Sequence, residues 1–219
     1  MAVLYSQNGV IIKPTNNVLP EGFKRIEYID NPTTNGKGFF QIHFQKYIYQ
    51  IEKIEIECSQ NANSGTFLFS GYIQRNDQYS RFIIQNTSDN SKIAFMKGTT
   101  SNQTIYPSSF VKNDKYSVVY ENNRLTLTDK NGLSFSTNII NDDNYWIDKF
   151  VLCSEISNQN NFFNGKIYSI KIKTTDNEEI NSYPVKNSNG LVGFFVEQRN
   201  MCLVSEWDAN NGLVAGPEI

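Results

Sequence analysis

The chain has 219 residues, of which 39% are hydrophobic and 19% charged, and its formal net charge is −2. A duplex-binding surface needs clustered cations, and no run of Lys or Arg here exceeds two residues, so the sequence argues against nucleic-acid binding. The apolar runs are a few residues long, far short of the roughly 20 residues that cross a bilayer, which excludes a membrane anchor.

The first 18 residues differ in character from the rest of the chain. Two apolar patches flank Gln7-Asn8-Gly9, and Pro14 with an Asn-rich break follows them. This segment fits either a hairpin added to the edge of the main domain or an arm that docks on a partner subunit. Its start has neither the basic region nor the long apolar stretch of a secretory signal, so we expect synthesis in a reducing cytoplasm.

From residue 46 onward, short runs alternate apolar and polar residues with a period of two, as half-buried strands do. Clusters of Asn, Ser, Gly and Asp separate these runs, which favours tight loops. The predicted strands are residues 46–58, 66–73, 81–85, 92–97, 149–155, 165–174 and 191–196.

Residues 114–137 carry the strongest local signal, which predicts a meander of three antiparallel strands. Asn122-Asn123 lies between two alternating runs, and Asn131-Gly132 follows the second run. Both dipeptides favour the positive φ angles that tight hairpin turns require. A helix is expected only as a short piece around 142–148. This pattern predicts an all-β fold, an antiparallel two-sheet β-sandwich of jelly-roll type with its first and last strands together.

Motifs at both ends of the chain, and one between them, strengthen this interpretation. They are the opening LPEGFKRIEYID (19–30), the strand start FNGKI (163–167), the segment NGLVGFF (189–195) and the closing AGPEI (215–219). Together they resemble the concanavalin A-like lectin/laminin G jelly-roll domains of bacteriophage and prophage structural proteins. The resemblance covers residues 19–219 as one domain. Where many relatives have an Asp after the Gly-x-aromatic step, this chain has Val196.

The resemblance implies a phage virion protein, such as a head fibre, tail fibre or decoration. Such a protein is synthesised in the host bacterial cytoplasm without a signal peptide and displayed on the virion surface. Its expected partners are other virion proteins (capsid, portal or tail) and host-surface polysaccharide. Virion appendages are symmetric, so a homotrimer is the expected oligomer, and several weak glycan sites would then act together through avidity.

Two predicted loops have the chemistry for glycan binding, which needs an aromatic platform and polar groups that hydrogen-bond hydroxyls. Residues 141–146 (NDDNYW) combine both, and residues 74–79 (QRNDQY) form a second loop of suitable chemistry. Trp146 has an alternative role as an anchor of its loop on the core. The candidate glycan-binding residues are Asp142, Asp143, Asn144, Tyr145, Trp146, Arg75, Asn76 and Tyr79.

Catalysis is not expected from this sequence. Glycoside hydrolysis needs two facing carboxylates about 5–10 Å apart. Glu52, Glu55 and Glu57 come closest to such a pattern, but the apolar residues of their strand occupy the opposite face, which predicts a solvated flank. His43 is the single histidine and lies in a strand-like run, with no nucleophile motif in the chain to partner it.

No cofactor is expected either, although calcium stays open as an alternative. Asp142, Asp143 and Asp148 could supply oxygen ligands, but such a loop is usually only a turn. The three cysteines, Cys58, Cys153 and Cys202, are interpreted as buried free thiols.

Two other functions stay open at this point. One is a purely structural capsid or tail decoration that binds no sugar. The other is a glycan-degrading enzyme of the same fold.

Overall fold

The computed structural model describes residues 19–32, 40–43, 51–60, 67–75, 78–86, 93–97, 103–105, 113–139, 149–152, 163–199, 201–204 and 213–219. Glu197–Arg199 form one turn of 3-10 helix. The strands are β1 (Phe23–Arg25), β2 (Ile29–Asn31), β3 (Phe40–His43), β4 (Ile51–Gln60), β5 (Phe67–Arg75), β6 (Gln78–Asn86), β7 (Ile93–Lys97), β8 (Gln103–Ile105), β9 (Tyr116–Glu121), β10 (Arg124–Thr128), β11 (Ser134–Asn138), β12 (Lys149–Leu152), β13 (Gly165–Thr174), β14 (Glu179–Asn187), β15 (Val192–Val196), β16 (Met201–Val204) and β17 (Val214–Ala215).

The described strands form two sheets. Eleven of them belong to a large sheet with the main order β11-β10-β9-β4-β13-β14-β15-β16, to which β1, β2 and β17 attach. The other six form a smaller sheet in the order β3-β12-β5-β6-β7-β8. β11 lies near β8 and β16 lies near β3, so the sheets meet at both edges. All pairings of the described strands are antiparallel, and the predicted jelly-roll β-sandwich is confirmed.

The large sheet has one apolar face and one polar face over much of its width. Ile54 and Ile56 of β4 are fully buried in the main core cluster, whereas Glu55 and Glu57, which alternate with them, are half-buried on the other face. This alternation follows from the strand period of two. Cys58 and Cys202 are buried and free, as predicted, whereas Cys153 lies outside the described residues.

The predicted meander and several strand bounds are confirmed. β9, β10 and β11 pair in succession, and a two-residue turn joins the first pair, with φ angles of 51° at Asn122 and 55° at Asn123. β13 has the predicted bounds. The expected helical piece at 142–148 and the N-terminal segment 1–18 lie outside the described residues.

Two hairpin loops of the large sheet share one construction, with the sequences DKNGL (129–133) and NSNGL (187–191). In each loop the side-chain oxygen of the first residue, Asp129 or Asn187, accepts two backbone N–H bonds from residues further along the loop. The fourth residue is Gly132 or Gly190, with φ of 82° and 80° respectively. Glycine occupies this position because the left-handed conformation carries no penalty without a Cβ.

The two ends of the described chain lie together, as predicted. β17 pairs with β2, and further along Ile26 bridges to Glu218. The segment 23–31 lies between β13 and β14 at the end away from their connecting turn, where these two strands no longer pair with each other. There β2 pairs with the start of β13, and β1 pairs with the end of β14. The opening and closing motifs therefore form neighbouring strands of one sheet.

β14 was not predicted, because Pro184 interrupts its sequence and proline removes a ladder donor. In the structure Pro184 lies between the residues of β14 that pair with β13 and those that pair with β1. Its carbonyl accepts a hydrogen bond from the N–H of Ile26 at 3.1 Å. The proline thus falls where β14 changes partner, which is a position that tolerates a missing N–H.

Candidate functional site

The predicted glycan-binding residues fall largely outside the described part of the chain. Residues 141–146, together with Asn76 and Asp148, are not described. Arg75 ends β5 and Tyr79 lies near the start of β6, and the register pairs Arg75 with Gln78 and Gln74 with Tyr79. The backbone therefore brings Arg75 and Tyr79 to the tip of one hairpin, but as residues of its two strands rather than of a loop that spans 74–79.

A β-bulge in β13 creates a feature on the polar face of the large sheet. Opposite β4 the register shifts between Ile167 and Ser169, so Tyr168 is an extra residue. As a result Tyr168 and Ser169 are both half-buried on the outer face, which breaks the alternation. Bulges are frequent where a side chain must be re-aimed, and this one places Tyr168 beside Tyr28.

Four side chains form the feature that we call the tyrosine–lysine patch: Tyr28, Lys115, Lys166 and Tyr168. The two tyrosine rings meet edge to face, with centroids 5.5 Å apart and an interplanar angle of 69°. Lys166 Nζ lies 4.3 Å from the centroid of Tyr28, and Lys115 Nζ lies 4.5 Å from that of Tyr168. Each ammonium therefore sits over the electron-rich face of a ring, the favourable position for a cation.

Carboxylate and hydroxyl groups lie beside the lysines of the patch. Lys115 Nζ lies 3.0 Å from Glu57 Oε2, and Ser169 Oγ donates a hydrogen bond to the same oxygen at 3.2 Å. Burial lowers the pKa of Lys166, but the Tyr28 hydroxyl and the Asp30 carboxylate more than offset this, and the net shift is upward. Lys166 is thus a cation at neutral pH, so the patch offers ammonium groups, hydroxyls, a carboxylate and aromatic rings together.

Three of the sequence motifs converge on this patch. Tyr28 comes from the opening motif and Lys166 from FNGKI, while Gly216 of the closing motif packs against the Tyr28 ring. A Cβ at Gly216 would lie 3.0 Å from three ring carbons, and the N–H of Gly216 donates to the carbonyl of Tyr28 at 2.9 Å. The glycine thus lets the ring lie directly on the backbone of the C-terminal segment.

Two buried asparagines tie the end of β2 to the residues that lead into β13. Asn31 Nδ2 donates to the carbonyl of Phe163 at 2.7 Å, and Asn164 Nδ2 points to the carbonyl of Pro32 at 3.4 Å. Both amide nitrogens are committed in this way, which fixes the direction of both side-chain oxygens. Neither oxygen accepts a hydrogen bond from the described residues.

The glutamates that came closest to a glycosidase pattern form ion pairs on the solvent-facing side of the sheet. Glu52 lies 2.8 Å from Lys173, and Glu55 lies 2.9 Å from Lys171. Glu57 pairs with Lys115 beside the patch. All three are half-exposed rather than enclosed, so the predicted solvated flank is confirmed.

The described ranges contain neither a metal-binding cluster nor a membrane-spanning helix. Within them, no three His, Cys, Asp or Glu side chains gather in a group that could hold a metal ion. No helix in the same ranges is long and apolar enough to cross a membrane.

The sequence prediction missed both tyrosines of the patch. Tyr28 was visible as part of the opening motif, but nothing in that motif distinguishes a core ring from a surface ring. Tyr168 follows Ile167 in an alternating run, and the bulge that turns it outward arises from the pairing of β13 with β4. The bulge can be recognised only from the register of β13 against β4.

No protein-family model matches the chain, and no curated protein matches it. Solved structures do match its fold. A heptameric SAP-like pentraxin from Limulus polyphemus has a TM-score of 0.50 at 12% identity, covering 74% of this chain and 94% of that chain.

Two further structures are more distant. The LG4–5 domains of the mouse laminin α1 chain have a TM-score of 0.47 at 8% identity, covering 80% of this chain and 51% of that one. A double mutant of congerin II has a TM-score of 0.37 at 10% identity, covering 62% and 99% respectively. The pentraxin match agrees with the fold of this chain, an antiparallel β-sandwich of concanavalin A-like jelly-roll type.

Proposed function

We propose that this chain is a non-catalytic, glycan-binding protein of a bacteriophage virion, carried as a head fibre, tail fibre or decoration. The observation that carries the glycan-binding part is the concanavalin A-like jelly roll, which aligns over 94% of the pentraxin chain. A fold supports a function only by analogy. The virion part rests on the resemblance of the end motifs to phage structural proteins.

The proposed binding surface lies at the two loops singled out in the sequence. Tyr145 and Trp146 would supply the platform for a sugar ring, and the acidic and amide groups of residues 142–144 would bind its hydroxyls. The hairpin tip with Arg75 and Tyr79 would extend this surface. In this proposal no cofactor is needed, and calcium bound at Asp142, Asp143 and Asp148 is the alternative.

The proposed assembly is a homotrimer attached to the capsid, portal or tail through residues 1–18. The protein would be made in the host cytoplasm and displayed on the virion surface. Three equivalent sites would raise weak single-site affinity through avidity. Light scattering on the purified protein measures the oligomer directly, and a monomer at micromolar concentration would remove this part of the proposal.

The non-catalytic part is supported by the surroundings of the carboxylates. Glu52, Glu55 and Glu57 each contact a lysine on an open sheet face. Glycosidase carboxylates instead face each other across the scissile bond. Release of reducing ends from a bound polysaccharide would contradict the proposal and favour the enzyme of the same fold.

Binding of labelled protein to host-range cells and purified capsular polysaccharides tests the function. The test compares wild type with Trp146→Ala and Tyr79→Ala, and Leu133→Ala serves as control because it removes a half-exposed apolar side chain from another turn. We expect saturable binding that both loop variants weaken and the control keeps. A chelator arm detects any calcium dependence. Should the folded wild type bind nothing, the purely structural decoration becomes the better explanation.

A further inference from the structure

We infer that the tyrosine–lysine patch is a subsite for an acidic saccharide, one that carries a carboxylate on its ring. This inference rests on the proposed glycan-binding function and names a second contact surface and its ligand class. The patch lies on the outer face of the large sheet, where Lys115 has 47% of its side chain exposed. It consists of residues other than those of the 74–79 and 141–146 loops.

The arrangement of cations distinguishes this patch from the rest of the same face. Lys171 and Lys173 have their ammonium groups within 3 Å of glutamate oxygens. Lys166 holds its ammonium group over the Tyr28 ring, and Lys115 holds its own over the Tyr168 ring in addition to its contact with Glu57. No described lysine–ring contact involves Lys171 or Lys173, so the rings distinguish the patch. A cation over a half-buried ring at the surface is held weakly and can move to a better partner.

An acidic sugar can bind both parts of such a site, the ammonium group and the tyrosine ring. Its carboxylate can take the ammonium in a charge-assisted hydrogen bond, and its C–H face can pack on the tyrosine that the ammonium leaves. Tyr28 and Tyr168 are already fixed, one on the backbone of Gly216 and the other by the bulge. The rings therefore need little reorganisation to receive a ligand.

Glu57 opposes an anionic ligand at this place. Its carboxylate holds Lys115 at 3.0 Å and takes the hydrogen bond of Ser169. Both members of this ion pair are more than a third exposed, so the pair is weak and a ligand carboxylate can compete with it. Removing the charge of Glu57 should therefore improve the binding of an acidic sugar.

The first experiment measures dissociation constants by titration calorimetry. The probes are trigalacturonic acid and its fully methyl-esterified form, which share a backbone and differ in their carboxylates. We expect wild type to prefer the acid by about tenfold, as displaced ion pairs of this kind allow. Lys115→Met with Lys166→Met should abolish that preference. The charge-matched control, Lys171→Met with Lys173→Met, should keep it.

The second experiment looks for a gain of binding. Glu57→Gln should bind trigalacturonic acid about threefold more tightly than wild type, since a weak competing ion pair is removed. Glu55→Gln is the matched control, because it removes the same charge from the same strand next to Lys171. It should leave the affinity unchanged. Thermal melts of each variant establish that the fold is kept.

The outcomes separate this inference from the proposed function. Equal losses in the two lysine pairs, or equal gains in the two glutamine variants, would show an effect of overall charge and overturn the subsite. Binding of both probes that depends on Trp146 and ignores both lysine pairs would also overturn it, while the proposed function stands. If wild type binds neither probe nor any capsular polysaccharide, the proposed function fails as well.

Discussion

Replacing Gly165 by alanine tests the close approach of β4 to the start of β13. A Cβ at this position would lie 2.1 Å from the backbone oxygen of Ser59 and 2.9 Å from two ring carbons of Phe163. The oxygen cannot move aside, because β4 pairs with β13 over its length, and Phe163 is fully buried. The φ of 157° at Gly165 borders on ordinary extended backbone, so the clash dominates the cost.

Overpacking a core costs about 1–3 kcal/mol, and a clash with backbone belongs at or above the top of that range. We therefore expect Gly165→Ala to lower the free energy of unfolding by about 3–4 kcal/mol. For a chain of this size that corresponds to a fall in Tm of roughly 10 °C. Urea and thermal unfolding, followed by circular dichroism and Trp fluorescence, measure both quantities.

Gly132→Ala is the matched control for this experiment. Gly132 has a φ of 82°, but a Cβ added there would meet no described atom within 4 Å, so only backbone strain is added. That strain is worth about 1–2 kcal/mol. If Gly165→Ala proved no more destabilising than Gly132→Ala, the close approach of the two strands would be refuted.

Three further predictions concern single buried or charged groups. Ser59→Ala should be neutral or stabilising by about 1 kcal/mol, because Ser59 Oγ is buried and has no hydrogen-bond partner among the described residues; a clear loss of stability in urea unfolding would reveal a partner that the described residues do not supply. Burial raises the pKa of the Cys58 and Cys202 thiols to about 12, so neither should react with iodoacetamide at pH 8 until the protein unfolds. Rapid labelling of either thiol in the native state, mapped by mass spectrometry, would contradict their burial. Hydrogen bonds from Lys24 and Lys186 hold the pKa of Glu218 below 4.5, so the ionised carboxylate stabilises the fold above pH 4.5 and this stabilisation is lost as the pH falls through the lower pKa of the folded state. Glu218→Gln should therefore make the free energy of unfolding fall less steeply below pH 4.5. The same acid dependence in wild type and variant would count against the ion pairs.

Much of the fold could be predicted because its signals are local. The turn at Asn122-Asn123 and the alternation of 165–174 depend on residues close in sequence, and both predictions are confirmed. The pairing of the chain ends was predicted from the end motifs, and β17 does pair with β2. Local pattern and motif thus identified the architecture.

The patch could not be predicted, because it depends on contacts between distant parts of the chain. Tyr168 faces outward only because β13 carries one residue more than β4 at that point. Lys115 reaches the Tyr168 ring from the position just before β9, more than 50 residues away in sequence. Alternation within a single strand cannot reveal an extra residue relative to a neighbour, since the neighbour sets the register.

The motifs of this chain mark positions where only one residue type fits, and such positions identify a fold more readily than a function. Gly216 lies under the Tyr28 ring, and Gly22 holds a φ of 82° in the opening turn. The ammonium groups of Lys115 and Lys166 meet no comparable restriction, because a surface side chain can be exchanged without disturbing the core. A ligand, however, meets those ammonium groups and the ring edges between them. Function in this protein therefore has to be tested on surface residues whose exchange leaves the core intact, by comparing the lysines that lie over a ring with lysines that only a carboxylate holds.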